Sequence, residues 1–153
     1  MGEAMANALE IRPNLQERLD PDDVARIHGF LSQTYWAQGI PRETQERALA
    51  HSICYGGYVD GELIAFARAV SDRATFAYLA DVFVLDAFRG RGFGRAIVAA
   101  LMDDPALQGL RRWHLVTRDM HKLYAQLDFE PLTQPELHMQ RHDPDVYRRA
   151  PAG

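Results

Sequence analysis

The stretch Asp81–Leu101, DVFVLDAFRGRGFGRAIVAAL, concentrates residue types suited to binding an anion. Gly90, Gly92 and Gly94 fall within five residues and open a segment whose apolar residues, Phe93, Ile97, Ala100 and Leu101, recur at helical spacing. Glycines let the backbone approach a ligand closely and aim several N–H groups at one point, and a helix dipole behind them favours a phosphate or pyrophosphate. Arg89, Arg91 and Arg95 add positive charge around that point. Two familiar phosphate loops do not fit. A P-loop needs Gly-Lys-Ser/Thr, and no Lys follows here. The dinucleotide fingerprint needs Gly three residues after Gly92, where Arg95 stands. A lone Gly-x-Gly also suits a solvated turn. The strand before it, the helix after it and the Arg-x-x-Gly-x-Gly spacing make the anion site the more specific reading.

With that spacing, Arg89-Gly90-Arg91-Gly92-Phe93-Gly94 resembles the pyrophosphate loop, Gln/Arg-x-x-Gly-x-Gly/Ala, of the GCN5-related N-acetyltransferase (GNAT) superfamily. VFVLDAFRG is similar to the family's strand and turn, and LYAQLDFEPL to its Leu-Tyr-x-x-x-Gly-Phe motif. The resemblance covers about residues 53–133. It implies an α/β (α+β) fold: one domain with a mixed, mostly antiparallel sheet, splayed at the acyl-CoA site and flanked by helices. It also implies that the backbone of Val82, Phe83 and Val84 pairs with the pantetheine arm of acetyl-CoA. The N–H groups of Arg89, Gly90, Arg91, Gly92, Phe93, Gly94 and Arg95 would then hold the pyrophosphate, and Tyr124 would protonate the departing thiolate. A phenol of pKa near ~10 is a competent donor to a thiolate, so the chemistry agrees with the analogy. Two positions depart from the pattern. Thr117 stands where the family often has a cofactor-contacting Asn, and Asp128 stands where Gly usually precedes the Phe, although Asp tolerates left-handed backbone better than most residues.

Other candidates carry two readings each. Tyr124 also fits a core position, at helical spacing with Met120 and Leu127. Asp81 interrupts an apolar strand, where an acid is costly unless paired or used. It either accepts the substrate amine's proton, directly or through water, or pairs with a structural partner such as Arg68. Tyr35 and Trp36 suit an amine-binding wall through cation–π contact, or packing beneath their own loop. His121 reads as a surface residue near the cofactor channel, and Cys54 as a small buried hydrophobe. His138 and His142 are four apart in a strand-like stretch, and no metal site is expected. The implied reaction is direct attack of a small-molecule or peptide amine on acetyl-CoA. The rival class is an acyl-CoA-binding sensor or structural module without chemistry. A homodimer is compatible with the resemblance.

The elements that must position these residues can be read along the chain. Asp20-Pro21-Asp22-Asp23 starts a helix with an Asp cap, Pro at the first position and acids at the positive end. Val24, Ile27, His28, Leu31 and Tyr35 share its apolar spacing, and Pro41 opens a second helix over about 41–51. Ile53 to Val59, a turn at Asp60-Gly61, and Leu63 to Val70 read as a hairpin, followed by a long strand at about 75–85. A helix to about Asp104, a strand at Trp113–Thr117, a helix around Met120–Leu127, and closing strands at 129–133 and 137–141 complete the order. Residues 1–8 and 148–153 read as tails around one domain at 9–147.

Composition sets outer bounds. With 153 residues, 47% of them hydrophobic and 25% charged, the chain has the size and make-up of one globular domain. Lys plus Arg is 17 against 21 Asp plus Glu, a net charge of −4, which disfavours general nucleic-acid or anionic-membrane binding. One cysteine permits no internal disulfide and no Cys-based zinc cage. MGEAMANALE has neither a basic nor an apolar signal region, and ATFAYLADVFVL is too short to span a bilayer, so a cytoplasmic location is expected.

Overall fold

The computed structural model describes residues 8–149, so parts of the two expected tails, residues 1–7 and 150–153, lie outside the described residues. Five strands, β1 (Glu10–Arg12), β2 (Ile53–Val59), β3 (Glu62–Ser71), β4 (Phe76–Val84) and β5 (Arg112–His114), form one sheet in that spatial order. The first three pairings are antiparallel and the last is parallel. Four helices flank it: α1 (Pro21–Leu31), α2 (Arg42–Ala50), α3 (Phe93–Met102) and α4 (His121–Ala125).

Local chemistry explains most boundaries. The Asp20 carboxylate accepts from the Asp22 N–H at 2.8 Å and caps α1, whose buried stripe is Val24, Ile27 and Leu31. The helix stops at Leu31, so Tyr35 leaves the expected apolar face and stands exposed on the following turn. At the hairpin, Asp60 and Gly61 both take positive φ, 52° and 81°, as a two-residue turn matched to the strands' twist requires.

The sheet is covered on both faces. Ile27, Leu31 and Leu49 from α1 and α2 pack with Tyr58, Phe66 and Phe83. On the other face, Ile97, Val98 and Leu101 of α3, together with Tyr124 of α4, pack with Ile64, Ala65 and Leu79.

Three sequence expectations change. The short β1, whose three residues leave little periodic signal, pairs along β2. The strand expected at 113–117 ends at His114. The closing strands at 129–133 and 137–141 do not form: a 3₁₀ turn at Pro135–Leu137 is the regular element there, and the chain from Glu130 to Val146 is exposed. Pro131 and Pro135 donate no ladder hydrogen bond, and Met139, at 97% exposure, buries nothing.

Ile97 is fully buried where α3 crosses the sheet. Ile97→Ala is expected to cost about 2–5 kcal/mol in urea unfolding. A loss below about 1 kcal/mol would mean that α3 is not anchored there.

Candidate active site

The loop between β4 and α3 is built from two tight turns. The Phe88 N–H reaches the Leu85 carbonyl at 2.8 Å, and the Arg89 N–H reaches Asp86 at 3.3 Å. Gly90 and Gly92 then adopt φ of 81° and 78°, and nothing lies within 4 Å of where a Cβ would stand. Glycine is needed here for backbone conformation rather than for room. The first N–H of α3 with a backbone acceptor is that of Ala96, bonded to Gly92 at 3.1 Å. The six N–H groups from Gly90 to Arg95 therefore have no acceptor among the described residues, at the positive end of a ten-residue helix. Arg89 turns back to Asp86 at 3.2 Å, whereas Arg91 rests over the Phe88 ring at 5.5 Å and Arg95 is exposed. A Cβ at Gly94 would stand 3.6 Å from Val84 and 3.9 Å from Leu123, so β4, α3 and α4 converge at this loop.

Beside the loop the sheet opens. β4 and β5 pair over Phe76–Tyr78 and Arg112–His114, leaving the β5-facing edge of β4 from Leu79 to Val84 without a strand partner among the described residues. On its other edge, Phe83 and Val84 pair with Phe66 and Ala65. Val82, Phe83 and Val84 thus border the splay.

Just before them, β4 carries a bulge. Between Phe66 and Arg68 of β3 the partner positions run from Phe83 to Ala80, one residue more on β4. Asp81 absorbs the irregularity at φ 55°, left-handed backbone that Asp tolerates better than most non-glycines. Its carboxylate is engaged on both oxygens. Oδ1 accepts from the Trp36 indole N–H at 2.8 Å; Oδ2 accepts from Arg68 Nε at 2.9 Å, with Nη2 at 2.8 Å. Arg68 also donates to the Ser52 hydroxyl, which donates to the Ala48 carbonyl. Of the two sequence readings of Asp81, the pairing with Arg68 is therefore present in the fold.

Tyr124 sits on the short α4, 9% exposed and packed edge-on against Phe129. The Phe129 N–H closes back to the Tyr124 carbonyl at 3.0 Å, and Asp128 takes φ 69° in the turn between them. The glycine of the resembling motif is thus replaced by an Asp in left-handed conformation. Burial, and secondarily the nearness of Tyr35, push the Tyr124 hydroxyl up to about 12. That hydroxyl makes no hydrogen bond among the described residues and keeps some solvent access. Thr117 accepts the Met120 N–H at 3.1 Å, so its hydroxyl already ties down the entry to α4.

Tyr35 and Trp36, 53% and 44% exposed, meet edge to face with ring centres 5.1 Å apart. Arg118, which carries no motif and was not singled out in the sequence, lies 3.8 Å over the Tyr35 ring. His121 is exposed at the first position of α4. Cys54 is fully buried, its thiol pushed up to about 12 by desolvation and hydrogen-bonded to the Leu49 carbonyl. His138 lies against the His114 ring at 6.1 Å, and no group of three potential metal ligands assembles among the described residues. No helix among them is long and apolar enough to cross a membrane.

The family model for "Acetyltransferase (GNAT) family" matches residues 15–129, from the turn before α1 to the Phe that packs on Tyr124. The chain belongs to the GNAT acetyltransferase family. A GNAT-family protein of Xanthomonas campestris pv. campestris, known by crystal structure, is 47% identical and aligns at TM-score 0.83 over 92% of this chain and 96% of its own. A Gibberella zeae protein provisionally named an acetyltransferase is 32% identical over 125 residues, 67% of this chain and 70% of its own. A provisionally named acetyltransferase of Clostridium acetobutylicum, solved with acetyl-CoA, shares the fold at TM-score 0.65 and 13% identity, covering 94% of this chain and 99% of that one. The single GNAT domain and its mixed sheet agree with these folds.

Arg68 and Asp81 form an ion pair with side chains only 15% and 9% exposed. Arg68→Met strands a carboxylate at the bulge and is expected to cost about 3–5 kcal/mol in urea unfolding. Adding Asp81→Asn should recover much of that loss, because the stranded charge is then gone. Equal stability of Arg68→Met and wild type would show that the pair does not hold the bulge.

Proposed function

We propose that this GNAT protein is an N-acetyltransferase that moves the acetyl group of acetyl-CoA to a primary amine by direct attack in a ternary complex. The observation that carries the reading is the run of N–H groups from Gly90 to Arg95, without acceptors among the described residues, at the start of α3 and bordering the open edge of β4. That donor set suits a pyrophosphate: the amides and the helix dipole attract negative charge, and Arg91 and Arg95 are not committed to carboxylates among the described residues. The N–H of Arg89 is already bonded to the Asp86 carbonyl, and its guanidinium to the Asp86 carboxylate and the Val84 carbonyl, so the donor set for the anion begins at Gly90.

Within this reading the backbone of Val82, Phe83 and Val84 holds the pantetheine arm, and its N–H groups steady the oxyanion as the amine attacks the thioester carbonyl. Thr117 contributes a hydroxyl at the side of the cofactor channel. The C–S bond breaks, and Tyr124 donates its proton to the leaving sulfur. A tyrosine held near 12 stays protonated across the working range, so the donor is always loaded. Asp81 accepts a hydrogen bond from the amine and passes its proton to solvent. A carboxylate has about four acceptor positions, so capacity remains beside Arg68 and Trp36. Tyr35 and Trp36 form the acceptor-side wall.

Tyr124→Phe is expected to lower kcat by about 10²–10⁴ while acetyl-CoA binding is retained. Unchanged turnover would remove the general-acid role. Saturating acetyl-CoA should raise Tm, since a ligand at about 100 times its Kd adds roughly 2.7 kcal/mol. Gly92→Asp, which strains the loop and sets a negative charge against the anion, should abolish that shift. Acetyl-CoA binding without CoA release over a broad amine panel would turn the reading into one of a binding module.

A further inference from the structure

A continuous chain of side chains runs outward from the bulge of β4. Arg68 pairs with Asp81, Asp81 accepts from Trp36, Trp36 meets Tyr35 edge to face, and Tyr35 carries Arg118 on its face. The charges along this chain do not cancel. Arg68 and Asp81 neutralise each other, whereas Arg118 has no carboxylate within ion-pair distance among the described residues, its neighbour Asp119 included. Arg118 is exposed, its guanidinium carbon lies 3.8 Å over the centre of the Tyr35 ring, and its N–H groups meet no acceptor among the described residues.

We propose that Arg118 determines acceptor specificity by binding an anionic group, a carboxylate or a phosphate, on the amine substrate. The proposal rests on the reading of the splay as an acetyl-transfer site and names the chemical class of its acceptor. The amine lies toward Asp81, the anion meets the fork of Arg118, and the segment between them lies along the exposed faces of Tyr35 and Trp36. Guanidinium geometry matches both oxyanions bidentately, so the cation selects for charge, and the length of the acceptor selects for reach. A dicationic amine is disfavoured, because its second charge would face Arg118 with no acid to offset it.

The test is CoA release with acceptors matched except for the anion: ω-amino acids against their amides, and phosphoethanolamine against ethanolamine. Wild type should favour at least one anionic member over its neutral partner by about tenfold or more in kcat/KM, and Arg118→Gln should bring that ratio close to one. KM for acetyl-CoA should be little changed. The amino-acid and phosphate arms tell the two oxyanions apart. Preference for neutral or polycationic amines would overturn the proposal and leave the transferase standing. So would a rise in the acetyl-CoA KM of Arg118→Gln with the acceptor ratio intact, which would assign the guanidinium to the cofactor. Tryptophan fluorescence separates the remaining case. If no acceptor releases CoA yet an anionic amine quenches Trp36, with the quench lost in Trp36→Phe and in Arg118→Gln, the anion site holds and the transferase reading falls. If neither release nor quenching is seen, both fall.

Discussion

The ion pair between Arg68 and Asp81 is the constraint on which the candidate site depends. A residue in left-handed backbone inside a strand is strained, and a carboxylate with little solvent access is costly without partners. Arg68, on the adjacent strand opposite Ala80, offsets the burial of the charge and holds the extra residue of β4 at the bulge. From that point the hydrogen bonds run in two directions. One passes through Ser52 to the last turn of α2; the other reaches Trp36 on the connection between α1 and α2. A single half-buried pair thus ties the α1–α2 connection and the end of α2 to the bulge at the rim of the splay.

The splay and the glycine loop are two consequences of how β4 ends. Its parallel partner β5 stops at His114, so the strand edge beyond Tyr78 is left to whatever lies alongside it. At the end of the same strand the chain turns through Asp86–Phe88 and delivers the start of α3, whose first N–H groups have no acceptor among the described residues, beside that open edge. The protein is acidic overall, yet Arg91, Arg95 and Arg118 all lie toward this region. Local placement of charge outweighs net charge here, because screening confines its influence to about 8–10 Å at physiological salt.

Much of the scaffold was legible because its signals are local. The Asp20 cap with Pro21, the Asp60-Gly61 turn between two β-branched and aromatic runs, and the glycine-arginine loop each act within a few residues. The left-handed Asp128 was similarly accessible from the motif it interrupts. The bulge was not, since its signal is a mismatch in count between two strands. The pairing of Asp81 with Arg68 was one of two readings that residue type left equal. Arg118 gave no sign at all: one cation among 17 becomes distinct only when it is seen over Tyr35. The closing strands failed for a related reason. They were expected from the order of elements along the chain, but a strand also requires an edge to join, and the prolines there remove donors.

By itself the sequence determined a single α/β domain, a cluster of glycines and arginines opening a helix, and a tyrosine on a following helix, because backbone conformation and periodicity are properties of neighbouring residues. Only the tertiary structure decided which edge of the sheet is left open, which partners satisfy Asp81, and that Tyr35, Trp36 and Arg118 share one wall. Those outcomes depend on strand register and on contacts between residues separated by tens of positions. No local preference encodes them, since they are settled by burying both faces of the sheet at once.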